Sequence, residues 1–491
     1  MKTTQLILYN QLRSDFIQKD IDFFLYIHHA GKINFNWQEL KLNTLSKIID
    51  YAGGKQLIDE LQSEWNTCEF LIEKKFIDGM LRFAKKHDVS KYIIVKPVEN
   101  YVYENFCKIK KQLKNHNIEL EFREDIYSFF LKKSEFQKQY DTPPIMEFFY
   151  RFMRKKYNIM MIGDKPEWGQ WNYDKENRAF DRKHKKTWSF SLEVNEYVEE
   201  AADFYNYTLP NTFFQPTNRK QALLQLEYFI EKHLDQFGKL EDAMYEHDDF
   251  VHHSLLSTSI NFWMLSPQEV VQKIVETNTA INNKEWFVRQ ILGWREYMYQ
   301  YFQHYKDTIY SENYFDHTRK LPNYFRSDAE KCKMNCLSHS LASVQENHIS
   351  HHIQRLMIIG NYALLWNYDP QELNRRFFEY YTDAFEWVVT PNVLAMSQYA
   401  DGWKLATKPY IASANYINKM SDYCKSCHYD YKEKYGENAC PYNMLYWTFV
   451  DDKQDEFQKW RQQFVLKNLW KINIEELQKQ KEIFIKKQAH I

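Results

Sequence analysis

Residues 420–449 read MSDYCKSCHYDYKEKYGENACPYNMLYWTF. Cys424, Cys427 and Cys440 fall together here as C-x2-C-x12-C, with Pro441 behind the last, in a chain that has only 7 cysteines. Thiols gathered this closely are metal ligands rather than scattered core residues. Three ligands leave a site unfinished, so a distant segment must fold back to complete it. Cys332 and Cys336, a turn apart in KCKMNCLSH, are the candidates. Completing the site ties the end of the chain to its middle and constrains how the whole C-terminal half folds. On ligand chemistry alone, zinc and an iron–sulfur cluster are equal alternatives. Cys68 and Cys107 read as ordinary buried thiols.

Upstream of this stretch, apolar residues recur at helical spacing from about residue 226, with Pro267, Pro322, Pro370, Pro391, Pro409 and Pro441 at boundaries. Residues 226–491 are therefore expected to be nearly all α, ending from Asn473 in a solvated Lys/Glu/Gln-rich helix. The first 135 residues read differently. Short β-favouring runs at 5–9, 22–27, 91–97 and 119–122 alternate with helical patterns such as 55–64 and 99–114. That alternation predicts an α/β domain on a parallel, Rossmann-like sheet over 1–135. Residues 136–225, with Pro143-Pro144, Trp168-Gly169 and the basic run Arg182 to Lys186, read as a connecting segment. No internal repeat is visible.

Composition excludes several classes of function. Only 11 of 491 residues are glycine, against a typical share of about 7%, and neither GxGxxG nor GxxxxGK[ST] occurs, so dinucleotide-fingerprint oxidoreductases and P-loop enzymes are disfavoured. Sixty-five basic against 66 acidic residues give a formal charge of -1, so contact with nucleic acid requires a local patch. Arg151, Arg154, Lys155, Lys156 and the 182–186 run are its candidates. The N-terminal apolar run is too short for a signal peptide and no apolar stretch approaches membrane-spanning length, from which a cytoplasmic protein with no membrane contact, acting as a monomer, is expected.

Two further groups of residues could carry chemistry. NHISHHIQR (347–355), if helical, sets His348, His351, His352 and Arg355 on one face, where a histidine can bind metal or act as a general acid. HHSLLSTSINFWMLSP (252–267) places Ser254, Ser257 and Ser259 ahead of a helix that could hold phosphates, and EWFVRQILGWREYM (285–298) carries Gln290, Arg295 and Glu296 toward the same cavity.

Together these residues resemble a known family, the bacterial iron–sulfur photolyases and cryptochromes, also called deoxyribodipyrimidine photolyase-related proteins. The matching stretches include MEFFYRFMRKK (146–156), WNYDKENR (171–178), FGKLEDAM (237–244), FVRQILGWREYM (287–298), MNCL (334–337), HHIQRLMIIGNYALL (351–365), DAFEWVVTPNVLAMSQYADG (383–402), TKPYIASANYINKMSDYCKSCHYD (407–430) and ACPYNMLYW (439–447). The resemblance implies the photolyase/cryptochrome architecture, an antenna-type α/β domain followed by a helical FAD-binding domain. It implies a 4Fe–4S cluster on Cys336, Cys424, Cys427 and Cys440, and FAD contacts at Ser254, Leu255, Leu256, Ser257, Gln290, Arg295, Glu296 and Asp401. A lumazine-type antenna pigment is a further implied cofactor, and damaged DNA the implied partner. The implied chemistry is light-driven repair of a flipped-out pyrimidine lesion, most closely of the (6-4) type, with His351, His352 and Tyr410 on the lesion side. The chain also departs from the family pattern. Val389 in WVVTPN replaces an acid expected beside the flavin, Trp403 replaces a glycine in ADGW, and Arg376-Phe377 replaces a Trp-aromatic pair. Those departures keep open a cryptochrome-like photoreceptor, or a divergent member with weakened FAD binding.

Overall fold

The computed structural model describes residues 2–15, 21–31, 33–35, 38–40, 42–64, 68–173 and 179–488; the end of the WNYDKENR stretch, 174–178, lies outside them. Five strands build the N-terminal sheet: β1 (Lys2–Ile7), β2 (Phe23–His29), β3 (Cys68–Glu73), β4 (Val89–Val95) and β5 (Glu119–Arg123). All pairings are parallel and the order is β3-β2-β1-β4-β5. β1, β2 and β4 are buried along most of their length, as a sheet covered by helices on both faces requires. Helix Thr44–Glu64 is longer than its sequence pattern suggests, and β3 was not anticipated. CEFLIE holds two acids and sits at a sheet edge, where burial is partial and the apolar signal is weak.

The strand order reverses between β1 and β4, and in such sheets a crevice opens beyond the C-terminal strand ends at this point. A cavity of about 1170 Å³ lies there, with Tyr9, Tyr101 and Phe385 among its apolar lining and Lys47, Lys75 and Lys108 among its charged lining. Its far wall comes from the helical half. The two halves are joined across it by Leu12 N–H donating to Phe262 O (3.0 Å) and Asn43 N–H to Phe378 O (2.9 Å). A buried carboxyl pair also spans the junction: Glu386 N–H donates to Glu99 (3.0 Å), while Asn100 N–H donates to Glu386.

The C-terminal half is helical, and three of its segments are wound as π-helix: Arg289–Arg295, Gln354–Gly360 and Pro391–Ser397. Such insertions re-aim side chains within otherwise regular helices and concentrate at functional sites. Gly360 lets two of them touch, since a Cβ there would lie 2.1 Å from Ser397 Oγ. Among the described residues no helix is long and apolar enough to cross a membrane.

Candidate functional site

The four cysteines come from separate elements. Cys336 lies in the first turn of helix Asn335–Asn347, Cys424 in the turn Tyr423–Lys425, and Cys440 caps helix Pro441–Asp452, whose Pro441 occupies the first helical position. Cys440 N–H bonds back to Asp430 O (3.1 Å), which closes the loop 430–440 between Cys427 and Cys440. Cys336, Cys424, Cys427 and Cys440 line one small cavity walled by Met334, Ile417 and Tyr423; Cys332 is not part of that lining. Burial pushes the thiols of Cys424 and Cys440 up to about 12 and raises that of Cys336 well above its ordinary value. Thiolates there need a cation to form. Tetrahedral zinc at about 2.3 Å from sulfur would draw four sulfurs to about 3.8 Å from one another. Among the described residues, no three of these sulfurs all lie within 4.8 Å of one another, wider than that tetrahedron.

The histidine segment is not one helix. His348 adopts φ 55° and terminates helix Asn335–Asn347; its ring meets Tyr207 Oη (2.6 Å) and the Asn43 amide (3.0 Å). His351 lies outside both helices and the next helix starts at His352. The expected single face of His348, His351, His352 and Arg355 is therefore broken by a left-handed residue, and His253 from a remote loop takes the vacant place. His253 Nε2 stands 3.2 Å from His352 Nδ1, and its ring stacks on His351 at 4.7 Å. Left-handed Val251 and Leu255 (φ 49° and 53°) bracket this residue, and Trp188 Nε1–H donates to its carbonyl (3.0 Å). Sequence reasoning missed His253: the doublet His252-His253 opens a noted stretch but carries no periodicity to pair it with residues a hundred positions on. On the other side of His352, Nε2 faces Asp242 Oδ1 at 3.3 Å and Glu241 Oε1 at 3.5 Å. Burial holds His253 down to about 3 and His351 well below the usual imidazole range. His352 is 43% exposed.

The expected flavin positions divide into two groups. Ser257 Oγ donates to Asp383 (2.8 Å), which also takes a two-pronged ion pair from Arg355 (3.1 and 3.0 Å) and, through its carbonyl, a bond from Asn261 (3.3 Å). Arg295 reaches the same group through Asn261 Oδ1 (3.4 Å). Its guanidinium lies 4.7 Å from the ring centres of both Phe129 and Trp387, bonds Ser128 O (2.6 Å), and keeps Nε buried without a partner. Burial pulls it down to about 10, and its nearest carboxylate, Glu296, is 4.0 Å away. Asp383, Arg355 and Asn261 complete a polar group of which only its ends were foreseen.

The remaining positions are engaged in holding structure. Glu296 accepts from Phe130 and Leu131 N–H, and burial pushes it up to about 7. Asp401 accepts from Tyr301 Oη and the N–H groups of Trp403 and Leu405. Gln290 donates to Trp286 O, Ser254 Oγ accepts from Leu256 N–H (3.4 Å), and Leu255 and Leu256 are buried apolar residues. Ser259 turns to Gln225. Tyr410 N–H donates to Tyr399 Oη, and Tyr399 stacks on Trp403 (4.6 Å), which in turn stacks on Trp460 (4.5 Å). Val389 is 4% exposed, and Arg376 pairs with Glu379.

The expected basic patch is also corrected. Arg154 is buried, donates to Ile159 O and Met160 O, and stacks on Trp171, so it seals a helix end instead of facing solvent. Arg182, Lys183, Lys185 and Lys186 are exposed. They lead directly into Trp188, whose indole N–H bonds the His253 carbonyl.

Comparison with known proteins sets these features in context. Residues 61–218 match the family described as Deoxyribodipyrimidine photo-lyase-related protein. The chain is 41% identical over 329 residues to a (6-4) photolyase of Agrobacterium fabrum, an alignment spanning 64% of each protein, and 33% identical over 102 residues to Uncharacterized protein R855 of Acanthamoeba polyphaga mimivirus (21% of this chain, 76% of the relative). Its fold is similar to a class III photolyase from Agrobacterium tumefaciens (TM-score 0.57, 14% identity, 81% of this chain and 79% of the other). It is also similar to a Synechocystis cryptochrome (TM-score 0.55, 11% identity, 81% and 82%) and to a Sulfolobus tokodaii photolyase with two FAD molecules (TM-score 0.54, 15% identity, 81% and 83%).

Proposed function

The chain has the photolyase/cryptochrome fold and is a relative of the deoxyribodipyrimidine photolyase-related proteins, and on that footing we propose that it repairs UV-induced (6-4) pyrimidine photoproducts in DNA, driven by light. Its cofactors are FAD, a 4Fe–4S cluster on Cys336, Cys424, Cys427 and Cys440, and a lumazine-type antenna pigment in the cavity between the two halves. The carrying observation is His352, half exposed, with carboxylates on one ring nitrogen and His253 on the other.

Reduced FAD, when bound, supplies the photoexcited electron that opens the lesion. The buried Arg295 fits such an anionic group: among the described residues its Nε has no partner and no carboxylate comes closer than 4.0 Å. Asn261, Ser257 and the Arg355–Asp383 pair would hold the polar edge of the cofactor. His352 then acts as the proton donor. Asp242 and Glu241 accept from Nε2–H and stabilise the imidazolium, while Nδ1 carries the mobile proton. Its exposure lets a flipped-out base reach it, and the exposed Arg182, Lys183, Lys185 and Lys186 offer phosphate contacts.

The test is illumination of the reduced protein with DNA carrying a (6-4) product. Restored bases are expected, and His352→Ala should lower repair about 10²–10⁴-fold, the usual worth of a positioned acid, with flavin content unchanged. If such DNA is neither bound nor restored while FAD is present, a cryptochrome-like photoreceptor replaces this reading. Val389, buried where the family pattern has an acid, is the observation that favours that second reading.

A further inference from the structure

His253, His351 and His352 meet in a way that hydrogen bonding alone leaves unresolved. His253 Nδ1 faces the carbonyl of Phe250 at 3.0 Å. A carbonyl only accepts, so the ring proton belongs on Nδ1, and Nε2 presents a lone pair. His352 Nε2 faces two carboxylate oxygens, at 3.3 and 3.5 Å, so its proton belongs there and Nδ1 presents a lone pair. These two lone pairs point at each other across 3.2 Å. His351 adds a third imidazole that is 4% exposed, with neither ring nitrogen hydrogen-bonded. One nitrogen from each of the three rings lies within 4.8 Å of the others.

Two facing imidazole lone pairs repel unless a cation stands between them. A proton can fill that place, as in the repair reading above, but a proton leaves both nitrogens of His351 unsatisfied. A metal ion would engage one nitrogen of each of the three rings. Imidazole nitrogens at about 2.0–2.1 Å from tetrahedral zinc stand about 3.3–3.4 Å apart, close to the separation already present between His253 and His352. The outer hydrogen bonds also match. Histidine ligands commonly donate their second ring N–H to a backbone carbonyl or a carboxylate, which fixes the tautomer and raises ligand basicity; Phe250 O and the Asp242/Glu241 pair fill those two roles. Imidazole ligands without thiolate suit the divalent ions of the zinc and copper end of the first transition row.

We infer that His253, His351 and His352 form a binding site for one divalent transition-metal ion of the zinc class, separate from the cysteine site. The ion takes the position of the mobile proton, so metal and proton compete for His352 Nδ1. Binding itself does not depend on the repair reading and is measured without light or DNA.

The purified protein, with its cysteine site loaded as isolated, is titrated with Zn²⁺ against a chromophoric chelator, and retained zinc is counted by mass spectrometry after desalting. One equivalent beyond that held by the cysteines is expected. His253→Asn and His351→Asn should each weaken its affinity tenfold or more, the scale seen when a metal site loses a supporting group, with circular dichroism and melting temperature unchanged. As a readout that needs no variant, X-ray absorption at the zinc edge of the loaded protein should report imidazole nitrogens for the added ion. No added equivalent, an added ion bound only to sulfur, or histidine variants that bind as tightly as the parent would each overturn the assignment.

Discussion

Arg295 concentrates an electrostatic problem in one side chain. A guanidinium between two aromatic rings, bonded to a carbonyl and an amide oxygen and with one N–H unused, is a buried cation lacking a counterion in contact. Replacing such a charge by an apolar side chain of similar length is often neutral or stabilising, because the desolvation penalty disappears with it. Arg295→Met should therefore leave the unfolding free energy of the flavin-free chain within about 1 kcal/mol of the parent, while the flavin-to-protein absorbance ratio of purified protein falls. An unchanged ratio would remove Arg295 from the cofactor site. The residue type and position could be seen in GWREYM; its isolation from carboxylates could not, because that depends on which segments cover it.

Helices and strands were legible where local pattern and burial agree. β1, β2, β4 and β5 coincide with runs of β-favouring residues, and Asn100–Lys114 with its amphipathic spacing. The pattern failed where a single backbone angle or an inserted residue decides the outcome. His348 at φ 55° ends a helix that side-chain spacing alone would continue, and three π-helical segments shift the register of everything beyond them. Gly360 shows what this demands of packing. An added Cβ would also meet Arg355 O at 2.9 Å, so Gly360→Ala should destabilise by about 1–3 kcal/mol, the range for overpacked cores. Urea unfolding measures it, and Ser397→Gly in the same chain should recover part of the loss by clearing the space. A parent-like midpoint for Gly360→Ala would contradict the close contact between these segments.

Two joints hold the molecule together. Glu99 and Glu386 link the α/β domain to the helical half, and burial, reinforced for Glu99 by the other's charge, pushes them up to about 8 and about 7. A carboxyl group with a raised folded-state pKa binds its proton more tightly when folded. The stability it lends is complete below its ordinary value near 4.5 and is lost as pH rises through about 8. The melting temperature should accordingly fall between pH 5 and pH 8.5, and Glu99→Gln, which keeps an acceptor for Glu386 N–H, should flatten that fall; an unaltered slope would show that the pair does not govern it. The second joint is the cysteine site. Cys424→Ser should reduce iron content and the broad absorbance near ~400 nm expected of a cluster, and lower the yield of folded protein, since metal binding at such sites is coupled to folding; a soluble, fully coloured variant would exclude Cys424 as a ligand. The sequence by itself determined the alternation of the N-terminal half, the helical character of the rest and the thiol-rich stretch at 420–449, because these are properties of neighbours along the chain. Only the tertiary structure brought Cys336, the choice the family resemblance implied over Cys332, to the wall beside Cys424, Cys427 and Cys440, set His253 against His352, and buried Arg154. Such meetings depend on how distant segments pack, which spacing within a segment does not specify.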